Sequence, residues 1–127
     1  DGFWSSAKQN DLFAVPLVSP LSDSVRLNIL KKHAKNGFAY CVSTTGTTGV
    51  RSSFDKDLSS YLKNVRNELN VPLAVGFGIS TKEQVNSLKG LAEIAVVGSA
   101  VIEIVNQSET TSLVGNVNNF IKELSLL

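Results

Sequence analysis

The sequence has no methionine, one cysteine, one histidine, one tryptophan and three prolines in 127 residues. Each scarcity closes a route. Cys41 cannot form an internal disulfide, and within the apolar run Phe38–Val42 it reads as an inert buried thiol of a reducing compartment. One histidine and one cysteine make no zinc site. His33 falls in a helical stretch away from any strand end and reads as a surface residue rather than a base. A formal net charge of +1 leaves no footprint for nucleic acid or an anionic membrane. No apolar run approaches the roughly 20 residues of a membrane span, and no signal-peptide pattern opens the chain. Asn106-Gln107-Ser108 fits the glycosylation pattern and reads as a chance match. The expectation is one soluble, cytoplasmic domain over residues 1–127, since 43% apolar and 18% charged residues are ordinary for such a chain.

Catalytic signatures are scarce too. Gly46-x-x-Gly49 has the wrong spacing for a Walker A loop, and no Lys-Ser/Thr follows it. Gly98-Ser99-Ala100 lacks the earlier glycine of a nucleophile elbow. All eleven carboxylates read as helix, cap or loop positions, with Asp55 and Asp57 as caps of the helix that follows. None falls at the C-terminal end of a strand, so no acid–base pair is legible and the catalytic list is empty.

What is present is alternation. Apolar strand-like runs at Phe13–Val18, Phe38–Ser43, Pro72–Gly76 and Ala95–Gly98 alternate with amphipathic helices. These run from Ser22 or Asp23 to Lys35 with a C-cap at Asn36-Gly37, from about Asp57 to Glu68, from Ser80 to Lys89 and from Ser99 to Val105, with a last helix at Leu113–Leu124. Ser80 or Thr81 can cap the third of these, with Glu83 completing a capping box to Ser80. The chain opens in a helical stretch, Asp1–Asn10, without a methionine, which reads as a fragment, a processed chain or an engineered piece. Repeating strand–helix units predict α/β architecture with a parallel sheet. An open doubly wound sheet suits this length, whereas a closed (β/α)8 barrel needs about 250 residues.

Loop chemistry favours half of a (β/α)8 TIM-type barrel. Gly76-Phe77-Gly78-Ile79-Ser80 and Gly98-Ser99-Ala100 both sit where a strand ends and a helix begins. In that fold, consecutive βα loops and a helix N-terminus hold phosphate through backbone N–H groups. Either glycine alone reads equally well as a tight turn; the two together point to phosphate. The polar loop Ser43–Ser53, with Gly46 and Gly49 as hinges, reads as an active-site lid rather than a solvated linker. A half barrel also leaves the inner face of its strands bare, so it must pair or expose an aggregation-prone surface.

The runs Tyr40–Gly49 and Pro72–Ser80, with Val96–Ala100, resemble the C-terminal half of the tryptophan synthase alpha chain, from the end of its fourth helix through strands 5 to 8. The resemblance implies a carbon–carbon lyase that cleaves indole-3-glycerol phosphate to indole and glyceraldehyde 3-phosphate by a retro-aldol reaction. It implies no cofactor on this chain and passage of indole to a pyridoxal-phosphate-bearing beta chain. By position, Gly49, Gly78, Gly98 and Ser99 are expected at the substrate phosphate, Phe77 against the indole ring, Tyr40 at the barrel mouth, and Thr48 orienting the catalytic aspartate. The family's catalytic glutamate and aspartate belong to the N-terminal half. Thr44 departs from the basic residue often found there. The expected partners are therefore the missing N-terminal half or a second copy, and the piece alone is expected to be inactive. Two other readings stand beside this one: a non-catalytic, self-associating, phosphate-binding half-barrel scaffold, and a phosphate-binding isomerase of histidine or tryptophan synthesis.

Overall fold

The computed structural model describes residues 2–35, 37–42, 56–76 and 78–125. In chain order these form α1 (Gly2–Gln9), β1 (Leu17–Val18), α2 (Ser24–His33), β2 (Ala39–Val42), α3 (Lys56–Leu69), β3 (Leu73–Gly76), α4 (Lys82–Ser87), β4 (Ile94–Val96), α5 (Ser99–Gln107) and α6 (Leu113–Ser125). All strand pairs are parallel, and the sheet order is β1-β2-β3-β4. A doubly wound sheet reverses its strand order at a switch point. This one advances in a single direction, as a barrel does.

Register divides the side chains into two faces. Val18, Cys41, Val75 and Ala95 are aligned, as are Leu17, Tyr40, Ala74 and Ile94. The first face carries the core: Val18, Cys41, Val75, Ala39 and Leu73 pack with Leu27 and Leu30 of α2 and Leu58, Leu62, Val65 and Leu69 of α3. The second face is bare in part. Leu17 is 61% exposed and Ile94 39%, and Phe13 and Val15 are also exposed just ahead of β1. The inner face is apolar as expected, but it is bare only at the outer strands, since Ala74 and Gly76 of β3 are buried.

Several boundaries differ from expectation. The first strand is only two residues long, because it has a neighbour on one side and Pro16 has no N–H to donate; the Pro16 carbonyl still accepts from Tyr40 at 2.9 Å. Helix α2 starts as expected, with Asp23 Oδ1 accepting the Arg26 N–H at 2.8 Å. It closes at Ala34, whose N–H returns to the Leu30 carbonyl, and not at Asn36-Gly37. Gly37 lies beneath the Phe13 ring instead. The cap of α4 is Thr81, and its box partner is Gln84 rather than Glu83: Thr81 Oγ1 accepts the Gln84 N–H at 3.3 Å, and Gln84 Oε1 accepts the Thr81 N–H at 3.1 Å. Asp55 and the side chain of Asp57, the expected caps of α3, lie outside the described residues, as does Ser43.

Polar ties fix the helices to the sheet. Tyr61 of α3 donates to the Val18 carbonyl at 3.0 Å. At the opposite end of the sheet, Glu93 accepts the Leu73 N–H at 2.8 Å and pairs with Arg66 at 2.8 Å, while Arg66 also donates to the Leu91 carbonyl. Burial pushes the Glu93 carboxyl up, but these donors outweigh it and hold the group below its usual range. His33 is half-buried and stacked on Trp4, with ring centroids 4.2 Å apart, so it ties α1 to α2.

Cys41 is fully buried, and burial pushes its thiol up to about 11 against the weaker pull of Tyr61 and Arg66. A thiol raised in the folded state keeps its proton while the unfolded chain loses its own. Stability is therefore complete below about pH 9 and falls as pH rises toward about 11, by roughly 1.4 kcal/mol per pH unit. Burial raises the Tyr61 phenol as well, which steepens the decline at the top of that range. Urea midpoints measured up this pH range should show the fall, and Cys41→Val should flatten its lower part.

Candidate functional site

The C-terminal ends of the strands are brought level by register. Val42, Gly76 and Val96 are mutual partners on β2, β3 and β4. Gly78 and Gly98 each follow their strand by two residues, so both turns leave from strand ends that lie level. Parallel strands lie about 4.8 Å apart, which sets both loops at the same corner of the sheet.

Each loop presents backbone in its own way. Gly78 has φ +77°, the left-handed region that glycine enters without a steric penalty, and it is exposed. Gly98 is the N-cap residue of α5 and supplies no side-chain hydrogen bond to the helix start. A Cβ at either position would meet nothing within 4 Å, so the space before both is open. Ser99 begins α5 and is exposed, and the first turn of that helix carries no acidic residue. The N–H groups at the start of a helix lack intrahelical partners, and the helix dipole adds roughly half a positive charge there. Nothing in that first turn opposes an anion.

Tyr40 lies on the inner face of β2, half-buried, with its hydroxyl over Gly76. A Cβ at Gly76 would collide with that hydroxyl, so the glycine is the seat of the tyrosine ring. The available signal was a glycine ending a strand, which marks close approach of another group. Thr48, Gly49 and Phe77 lie outside the described residues, as does most of the expected lid. Register thus levels Gly76 with Val96, each two residues ahead of Gly78 and Gly98, and the Tyr40 hydroxyl lies over Gly76.

The described carboxylates stand elsewhere. Asp23 caps α2, Glu68, Glu83, Glu103 and Glu123 ride on helices, and Glu93 precedes β4 at the N-terminal edge of the sheet. Among the described residues no carboxylate occupies the C-terminal end of a strand, and no group of His, Cys, Asp and Glu could hold a metal. No described helix is long and apolar enough to cross a membrane.

A singly wound parallel sheet with helices on one face, an apolar inner face and glycine-bearing βα turns at its C-terminal rim defines a (β/α)8-type chain covering half a barrel. Comparison with known proteins narrows this. A family model described as tryptophan synthase alpha chain matches residues 1–125. The alpha chain of Thermoanaerobacter pseudethanolicus is 38% identical over 122 residues, covering 93% of this chain and 46% of its own length. That of Bacillus pumilus is 41% identical over 97 residues, covering 76% of this chain and 36% of the relative. In a tryptophan synthase α2β2 complex from Pyrococcus furiosus, the matching chain is 31% identical with a TM-score of 0.83, covering 98% of this chain and 50% of that one. This chain belongs to the tryptophan synthase alpha chain family. It spans about half the length of the relatives it matches, or less.

Proposed function

We propose that residues 1–127 form a single domain, the C-terminal half of a tryptophan synthase alpha-chain barrel. The whole protein cleaves indole-3-glycerol phosphate to indole and glyceraldehyde 3-phosphate. The observation that carries this reading is the level ends of β3 and β4, Gly76 opposite Val96, from which the Gly78 and Gly98 turns leave the rim of a family sheet. Loops after the last two strands are where such barrels hold phosphate. In this reading Gly78, Gly98 and Ser99, joined by Gly49, bind the phosphate through N–H and hydroxyl groups. Phe77 packs on the indole ring and Tyr40 borders it at the mouth. Thr48 positions the catalytic aspartate.

A retro-aldol step needs one group to take the hydroxyl proton of the glycerol side chain and another to place a proton on the indole carbon as the carbon–carbon bond breaks. With no described carboxylate at the strand ends, both groups come from the other half of the barrel, and this piece alone is inactive. The whole protein hands indole to a beta chain in the cytoplasm, a setting that suits the free, buried Cys41. Joining this chain to the N-terminal half of a relative should restore indole release from indole-3-glycerol phosphate. A folded hybrid that binds phosphate but yields no indole would overturn the assignment.

A further inference from the structure

We propose that Gln84 is a positioning residue for the phosphate site. Its side-chain oxygen closes the start of α4 and fixes the Gly78 turn, which leaves the anion to Gly78 and the open start of α5. The inference rests on the phosphate reading above and adds to it a residue that acts through the backbone.

Among the described residues Gln84 is the one buried side chain with an amide, hydroxyl or charge. A capping-box glutamine returns to a single N–H, that of the cap residue. Gln84 Oε1 accepts two, from Thr81 at 3.1 Å and from Ser80 at 2.8 Å, and the Ser80 hydroxyl donates to the same oxygen at 3.4 Å. Ile79, one residue earlier, is buried in the core. The chain is therefore pinned from Ile79 to Thr81 on one side. On the other it is held at Gly76, which the sheet register pairs with Val42 and Val96. Two residues join these fixed points, and Gly78, at φ +77°, is the second of them. The direction in which its backbone faces the site is thus set from both ends.

The two helix starts beside the candidate site differ in what claims their donors. At α4 the Thr81 hydroxyl takes the Gln84 N–H, Gln84 Oε1 takes the two N–H groups ahead of the helix, and Glu83 places a carboxylate in the first turn. At α5 Gly98 gives no side-chain bond and the first turn holds no acid. A helix start draws an anion through N–H groups that nothing else has claimed. Gln84 therefore removes α4 from competition and directs the anion toward α5, while the turn it pins brings Gly78 to the same rim.

The test uses the full barrel, this chain joined to the N-terminal half of a relative. Inorganic phosphate is titrated by amide shifts, and indole release is followed against indole-3-glycerol phosphate. Gln84→Leu keeps the bulk and strands the Ser80 and Thr81 N–H groups, whereas Gln84→Glu keeps an oxygen acceptor at the same reach. Gln84→Leu should weaken phosphate binding and raise KM about tenfold at unchanged kcat, the mark of lost uniform binding. Gln84→Glu should restore most of both. Phosphate affinity and KM that survive Gln84→Leu, even with a lower urea midpoint, would overturn the positioning role, as would a loss that Gln84→Glu does not relieve. Should Gln84→Leu fail to fold, the unsubstituted barrel decides. Phosphate must shift the amides of Gly78, Gly98 and Ser99 and leave those of Ser80 and Thr81 in place, and shifts at Ser80 and Thr81 defeat the proposal. A barrel that binds phosphate with this dependence on Gln84 but releases no indole sinks the lyase reading and upholds the positioning role. One that releases indole and ignores Gln84→Leu does the reverse, and one that binds no phosphate overturns both.

Discussion

Replacing Gly98 by aspartate is expected to raise the stability of α5 slightly while weakening affinity for inorganic phosphate at least a hundredfold. The two effects share one cause. Gly98 is the N-cap of a nine-residue helix and offers no side chain to the unpaired N–H groups above it. An aspartate carboxylate supplies the missing acceptor, a change of only about a few tenths of a kcal/mol in favour of the folded state. The same carboxylate then occupies the N–H groups and the open space that the phosphate would use, and it adds negative charge at the spot where the helix dipole attracts an anion. Phosphate titration followed by amide chemical shifts should show binding weakened by two orders of magnitude or more, while the urea midpoint holds or rises. Binding that survives the substitution would remove Gly98 and Ser99 from the phosphate site. A falling midpoint would mean that the glycine is needed for folding instead.

The second large effect concerns the core. Leu62 is fully buried on α3, between the sheet and α2, whereas Val114 on α6 is 80% exposed. Leu62→Ala should cost about 2–5 kcal/mol, since it removes buried methyl groups from a site whose neighbours are strand and helix side chains that close only partly over the gap. Val114→Ala should stay within about 0.5 kcal/mol. The contrast places the stability of the chain in the layer formed by β1–β3 with α2 and α3. Helices α5 and α6 contribute a single buried side chain, Leu124, and stand at the margin. Equal losses from the two substitutions, read from urea unfolding, would contradict that division.

Alternation of apolar runs with amphipathic segments was enough to place every described strand and helix, because parallel strands covered by helices leave a strong local pattern. Choices one or two residues wide were not legible. Ser80-x-x-Glu83 and Thr81-x-x-Gln84 both satisfy the capping-box pattern. The second frame holds, with Ile79 and Leu88 buried on either side and Gln84 Oε1 also accepting the Ser80 N–H at 2.8 Å. The end of α2 was misread for a related reason. Gly37 looks like a helix terminator, yet the ring of Phe13, distant in sequence, lies over it. The seating of Tyr40 on Gly76, the Tyr61 bond to the Val18 carbonyl and the Arg66–Glu93 pair all join residues far apart in sequence, and no local pattern announces them. Within the candidate site, the glycines were readable because βα turns impose them. That both turns leave from level strand ends was not, since it follows from the register of β3 against β4.

The order β1-β2-β3-β4 has a consequence for the history of each molecule. Every strand pairs with the strand made next, so each ladder can form once the following strand–helix unit has left the ribosome. Among the four described strands no pairing has to wait for a strand synthesised much later, and the loops closed at each of these steps stay short. The sheet can grow in the direction of synthesis, with β4 and its flanking helices the last to settle against a core that β1, β2 and β3 have already built.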